Sequence, residues 1–318
     1  MIDDAYLKTV RLLLDVLPDV FVGNMFAIKG GTAINLFVQD APRLSVDIDL
    51  VYLDGAKPRE AALEEIATEL GNIASRLEAR GLSAQPIRKG DDPDSKLLIM
   101  ERHDNTRLKI EVNTLFRGSV LPVTGRQSVS AFVENRFGVT ASAPILGRAE
   151  LYASKMVAAL DRQHPRDLFD VWLYYQSEEI TDELLDCFVV YLAGHNRPPH
   201  EVLAGNDKQI EDIYYEHFVG MTEADPPTID ELRMTRSRLR ADILQKLTPA
   251  HKEFLVSLVQ AEPNWALLRD PNVADLPALR WKAGNLQKLK GQNSSKFATQ
   301  AESLKSLLFR GKKNQLKP

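Results

Sequence analysis

At 318 residues, 44% of them apolar and 26% charged, the chain has the composition of an ordinary folded protein with room for two domains and a sizeable core. No apolar run approaches the roughly 18 residues that a bilayer span requires. The net charge of −4 hides a strong asymmetry. From Arg280 onward ten Lys and Arg side chains (Arg280, Lys282, Lys288, Lys290, Lys296, Lys305, Arg310, Lys312, Lys313 and Lys317) meet one acid, Glu302, so that segment carries +9 and residues 1–279 carry −13. A basic end on an acidic body suggests either a localised polyanion contact or a solvated tail kept for solubility.

Met1-Ile2-Asp3-Asp4 has neither the basic nor the apolar part of a signal peptide, and Cys187 is the single cysteine, so a cytoplasmic protein without an intrachain disulfide is expected. Flanked by Leu185, Phe188 and Val189, Cys187 reads as a buried small hydrophobe. The six histidines show no zinc-ligand spacing.

In chain order, Leu7, Val10, Leu13, Leu14 and Leu17 predict an amphipathic helix from Asp3 closed by Pro18. Phe26–Lys29 reads as a short strand entering a Gly30-Gly31 turn, with a helix over 32–38 and a strand over 45–53. A long helix over 60–80 ends at Gly81. Strands over 96–101 and 106–113 follow, joined by a turn at His103-Asp104-Asn105. From Gly147 onward nearly every periodic segment is helical, with Pro198-Pro199 and Asp225-Pro226-Pro227 expected as loops. The expectation is an α+β protein: a small mixed sheet with helices over 1–145, a helical domain over 146–279, and a basic helical segment over 280–318.

Three constellations carry chemistry. In Val46-Asp47-Ile48-Asp49-Leu50 the apolar residues share one strand face, so Asp47 and Asp49 project together from the other. Asp is disfavoured in strands, and two side by side repel, which points to a divalent metal between them rather than to a polar outer face. The glycine turn ahead of a helix start offers backbone N–H groups to an anion. In the 106–113 strand Arg107, Lys109, Glu111 and Asn113 share a face, and Glu111 becomes a third metal carboxylate if this strand lies beside the first; alone, the pattern is equally a solvent-facing Lys/Glu stripe. Finally, Lys155 and Arg162 lie two turns apart on one helix face. Pro165 then starts a helix on which Asp167 and Asp170 share a face. Two cations and two anions on adjacent helices suit either a triphosphate or a structural ion-pair network.

Together these stretches resemble the AbiEii/AbiGii family of nucleotidyltransferase-like toxins, which includes the MenT toxins of type IV toxin–antitoxin systems. Its pattern, a Gly-Gly-Ser/Thr turn, an Arg-x-Ser-x-Asp-x-Asp strand, a Lys/Glu strand and a Lys…Arg…Arg-Asp helix pair, is met by Gly30-Gly31-Thr32, by Arg43, Ser45, Asp47 and Asp49, by Lys109 and Glu111, and by Lys155, Arg162, Arg166, Asp167 and Asp170. The match covers roughly residues 26–175. The resemblance implies a polymerase-β-like nucleotidyltransferase core, an NTP donor, Mg²⁺ and an RNA acceptor, with transfer to the 3′ end of tRNA that blocks translation in a toxin–antitoxin or phage-defence setting. A cognate antitoxin is implied without any required direct contact.

On that basis Asp47, Asp49 and Glu111 are the expected metal ligands, with Glu111 either completing the site or helping to deprotonate the attacking hydroxyl. Gly30, Gly31, Thr32, Arg43, Ser45, Lys109, Arg162 and Arg166 are expected around the nucleotide. Lys155, Asp167 and Asp170 are expected to act in catalysis, Lys155 on phosphate charge and one of the two aspartates orienting it or engaging base or ribose. Transfer to a small-molecule hydroxyl, kinase-like phosphoryl transfer and non-catalytic nucleotide binding are the alternatives on the same scaffold.

Overall fold

The computed structural model describes residues 3–87, 95–222 and 224–309, so Arg310, Lys312, Lys313 and Lys317 of the basic segment lie outside the described residues. The chain divides into two compact units, Met1–Leu151 with Tyr215–Pro226, and Tyr152–Tyr214 with Pro227–Pro318.

The first unit is built on a five-stranded sheet of order β1-β2-β5-β4-β3, formed by β1 (Phe26–Lys29), β2 (Asp47–Tyr52), β3 (Ser83–Pro86), β4 (Lys96–Met100) and β5 (Arg107–Asn113). β2 and β5 are parallel and the other pairs antiparallel, so the sheet is mixed. Alternation divides its two faces. Ile48, Leu50, Leu97, Ile99, Leu108, Ile110 and Val112 are buried, and helices α1 (Asp4–Val20) and α3 (Arg59–Ala79) pack against β3, β4 and β5. Asp3 caps α1, its carboxylate accepting from the Ala5 N–H at 2.9 Å. Pro18 does not close this helix, which runs on to Val20. In the last turn a proline costs one hydrogen bond, and burial of Leu17, Val20 and Phe21 offsets that cost.

After β1 the chain turns directly into helix α2, α-helical over Gly30–Thr32 and π-helical over Ala33–Val38. The unit is completed by a two-stranded ribbon, β6 (Gln127–Ser128) with β7 (Ser142–Ala143), by α4 (Ala131–Phe137), and by a chain return. In that return Leu44 N–H donates to the Met221 carbonyl at 2.8 Å, and Arg43 bridges to Thr222. The short strands β3, β6 and β7 carry no alternating apolar signal and were not expected from sequence.

The second unit is helical. It contains most of α5 (Arg148–Arg162), then α6 (Pro165–Ser177), α7 (Asp182–Ala193), α8 (Pro199–Ala204), the first part of α9 (Glu211–His217), α10 (Ile229–Lys246), α11 (Pro249–Val259), α12 (Pro277–Gln292) and α13 (Ser294–Leu308). Pro198-Pro199 is no loop: Pro198 is the N-cap and Pro199 the first residue of α8, where a missing N–H costs nothing. Cys187 is buried in α7 among Leu184, Phe188 and Val190. Among the described residues no helix is long and apolar enough to cross a membrane.

Candidate active site

The exposed face of the first unit's sheet is a grid of charge. Register places Lys29, Asp49, Glu111 and Lys96 in one row across β1, β2, β5 and β4, with Asp47 opposite Lys109 in the next. Directly opposed residues share a face, so these six side chains stand together, each half-buried. Two adjacent carboxylates in the first row are thus flanked on both sides by lysines. Glu111 is bound by both of its cationic neighbours: Lys96 Nζ lies 2.7 Å from Oε1 and Lys109 Nζ 2.9 Å from Oε2. Burial pushes the Glu111 carboxyl up, but the hydrogen bonds from Lys96 and Lys109 outweigh it and hold the group below the usual carboxylate range. Burial likewise pushes Lys109 down, and Glu111, Asp47 and Asp49 together reverse that and raise it.

The glycine turn is pressed onto this face. Gly30 has φ +70°, and a Cβ there would lie 2.9 Å from Asp49 Oδ2. A Cβ on Gly31 would lie 2.7 Å from the Arg43 guanidinium and 3.1 Å from Ser45 Oγ. The motif's spacing follows from this contact: glycines are needed where the helix start meets the strand's polar side chains. Thr32 Oγ1 lies 2.9 Å from Ser45 Oγ and donates to the Asp47 carbonyl, tying helix to strand. Arg43 is 3% exposed and donates to the Leu44 carbonyl at 3.1 Å. Asn35 Nδ2 donates to the Gly31 carbonyl at 2.8 Å. Gly30, Gly31, Thr32, Arg43, Ser45, Asp47, Asp49, Lys109 and Glu111 are therefore brought together in one unit. Lys29 and Lys96 were missed by sequence reasoning, since nothing local marks a lysine as the cross-strand neighbour of a carboxylate.

The other candidates lie in the second unit. Lys155 on α5 is 6% exposed, with its Nζ 2.9 Å from Asp167 Oδ1 and 3.1 Å from Asp170 Oδ2 on α6. Both aspartates are buried too. Arg162 adds a pair to Asp167 at 2.9 Å from the solvent side. His164 caps α6, its Nδ1 accepting from the Arg166 N–H at 3.1 Å, and Pro165 occupies the first turn. The turn is made possible by Gln163 at φ +54°, whose amide carbonyl accepts from Arg236 at 2.7 Å. This arrangement has the geometry of an internal ion network. Lys155 is satisfied by two carboxylates, while Arg162 and Arg166 remain solvent-accessible.

Among the described residues no group of three or more His, Cys, Asp and Glu side chains is arranged to hold a metal ion, and Glu111 is paired with Lys96 and Lys109. The Asp47–Asp49 pair nevertheless has the donor chemistry of a magnesium site completed by substrate phosphates, which uses one or two carboxylates and hard oxygens only.

A family model described as the AbiEii nucleotidyl transferase toxin of a type IV toxin–antitoxin system matches residues 11–284. Among solved structures the chain is similar to MenT4, a nucleotidyltransferase toxin from Mycobacterium tuberculosis H37Rv, at 17% identity and a TM-score of 0.59, covering 88% of this chain and 93% of that one. A complex of CdnC with HORMA-deltaN from E. coli MS115-1 aligns at 10% identity over 86% of this chain and 88% of that one, but its TM-score of 0.22 carries no argument. No curated protein matches the chain. The fold is thus that of a MenT-type α+β nucleotidyltransferase, and the family match extends well beyond the motif region at both ends. The chain belongs to the AbiEii nucleotidyl transferase toxin family of type IV toxin–antitoxin systems.

Proposed function

We propose that this protein transfers a nucleotide from an NTP to an RNA acceptor, the 3′ end of tRNA, in a magnesium-dependent reaction that blocks translation. The observation that carries the reading is the Asp47–Asp49 pair standing against the Gly30-Gly31 helix start on one sheet face. Asp47 and Asp49 are the residues that would hold Mg²⁺, which when bound neutralises triphosphate charge and makes the acceptor hydroxyl more acidic. The N–H groups at the start of α2 bind phosphate oxygens, and Gly30 leaves the approach open. In the reaction the acceptor 3′ oxygen forms a bond to the donor's α-phosphorus and the bond to pyrophosphate breaks.

Lys109 and Lys96 bring positive charge to the oxygens where negative charge accumulates, and Glu111 orients both ammonium groups. In the second unit Arg162 and Arg166 are accessible to phosphate, whereas Lys155, Asp167 and Asp170 hold α5 and α6 together and so set where Arg162 points. A toxin–antitoxin role follows from the family, and a phage-defence setting is one context for it. The antitoxin need not touch the toxin.

The test is incubation of the purified protein with total tRNA, Mg²⁺ and each α-³²P-labelled NTP in turn, beside Asp47→Ala. Labelled tRNA that disappears in the variant is the expected result. No label from any of the four nucleotides overturns the assignment, and label that appears only in a repeat with γ-³²P-labelled NTPs reassigns the reaction to phosphoryl transfer.

A further inference from the structure

A groove of about 380 Å³ lies within the second unit, walled by α12, α13 and the chain between α7 and α8. Its chemistry is unlike that of the sheet face. Trp281 on α12 is 40% exposed, an uncommon state for the largest aromatic side chain in an otherwise well-buried protein. Asn285 stands one turn beyond it, and Lys288 continues the same stripe at i+7. Lys296 and Gln300, one turn apart on α13, form the facing wall, and Asn196 and Arg197 close one end. That end is rigid: Lys282 donates from its buried ammonium to the carbonyls of His195, Asn196 and Arg197 at 2.7, 3.3 and 2.9 Å. Arg197 is held in turn by Asp161 at 2.6 Å and by Glu201.

The groove lining carries more positive than negative charge, with Arg197, Lys282 and Lys296 against Glu201. Arg280, Lys288, Lys290, Lys296 and Lys305 are exposed on α12 and α13, where the one acid is Glu302; Asp275 pairs with Arg280 and Glu262 with Lys290, and Glu201 in the groove wall pairs with Arg197. An exposed indole, amides that both donate and accept, and cations are the three elements that single-stranded nucleic acid requires: a stacking platform, polar groups for base edges, and charge for the backbone. A purely acidic protein partner would use the cations and leave the indole and the amides without a role.

We propose that this groove is a nucleotide-binding subsite for single-stranded RNA, with a base stacked on Trp281, its edge met by Asn285 or Gln300, and backbone phosphate at Lys296 and Lys288. The proposal rests on the RNA acceptor of the preceding section but assigns a separate surface to it. Binding is therefore measurable independently of transfer.

The experiment is fluorescence anisotropy with 3′-labelled tRNA and with a short unpaired RNA, over a series of salt concentrations. The proteins are wild type, Trp281→Ala, Trp281→Phe and Lys296→Glu. Trp281→Ala is expected to weaken binding about tenfold, the scale of one lost base stack, and Trp281→Phe to restore most of it. Lys296→Glu is expected to weaken binding and flatten the salt dependence. Because Trp281 and Lys296 are exposed, these variants keep the fold, which circular dichroism checks. Equal affinities for wild type and Trp281→Ala overturn the proposal, as does displacement of the RNA by polyaspartate at matched charge. If RNA binding behaves as expected but wild type transfers no label, the groove stands and the transferase assignment falls. If label is transferred while Trp281→Ala binds normally, the reverse holds.

Discussion

Lys155→Met removes the ammonium that sits between Asp167 and Asp170 while keeping the length and most of the volume of the side chain. In the structure that ammonium lies 2.9 and 3.1 Å from the two carboxylates, whose side chains are 5% and 1% exposed. Without it the two buried anions lose the cation they share, and Arg162, which pairs with Asp167, has a side chain that is 61% exposed. Leaving buried charge uncompensated in this way costs about 3–5 kcal/mol. With a urea m-value of about 2 kcal/mol/M, the unfolding midpoint of the second unit falls by roughly 2 M. Arg162→Ala removes an exposed pair instead and costs no more than about 1 kcal/mol. The triple variant Lys155→Met/Asp167→Asn/Asp170→Asn recovers at least half of the single variant's loss, because it no longer buries two carboxylates without the ammonium between them. Urea titration followed by far-UV circular dichroism, with hydrogen exchange on α5 and α6, measures all three. A Lys155→Met midpoint within experimental error of wild type refutes the assignment of Lys155 to an internal network and returns it to the substrate.

Gly30→Ala forces a side chain into φ +70° and against Asp49 Oδ2. It should cost about 1–2 kcal/mol from the left-handed backbone alone and reduce transfer more than it lowers Tm, which parallel activity and melting curves separate. Glu111→Gln tests the lysine pairing through pH. The folded-state pKa of Glu111 is held below the usual 4.5, so its stabilising contribution is present above that value and is lost as pH falls through the folded pKa. The stability gap between wild type and Glu111→Gln should therefore be full well above pH 4.5 and shrink as the pH falls below it; a gap that widens on acidification contradicts the pairing. Lys96→Met should raise the KM for NTP while leaving the melting temperature within a few degrees of wild type, since Lys96 is half-exposed.

Local alternation was enough to identify the face of Asp47 and Asp49, and the parallel pairing that sets Asp49 beside Glu111 is the arrangement the sequence required for a shared site. Glu111 illustrates where that reasoning runs out. A carboxylate on the correct face was legible, but its engagement by Lys96 depends on β4 pairing with β5 across a turn, and no local pattern states which lysine falls opposite. Lys155 shows a second limit. Periodicity placed it on a helix with Arg162, yet whether that face meets solvent or another helix is decided by the left-handed Gln163 turn, which folds α6 back so that Asp167 and Asp170 reach it. Trp281 was hidden for the opposite reason: a tryptophan in a helical pattern reads as core, and only the fold reveals it at the surface.

The return of Tyr215–Pro226 to the first unit has a consequence in time. Leu44, beside the arginine that backs the glycine turn, gets its backbone partner from Met221, and Asp3 N–H finds the Gly220 carbonyl at 3.1 Å. All the sheet strands have been made by residue 151, but these partners come about 70 residues later, a lag of roughly 4–15 s at the pace of translation. Throughout that interval a nascent chain carries every strand of its sheet with the Arg43 edge unsealed, so the first unit is completed only after residues 152–214 of the second have been made.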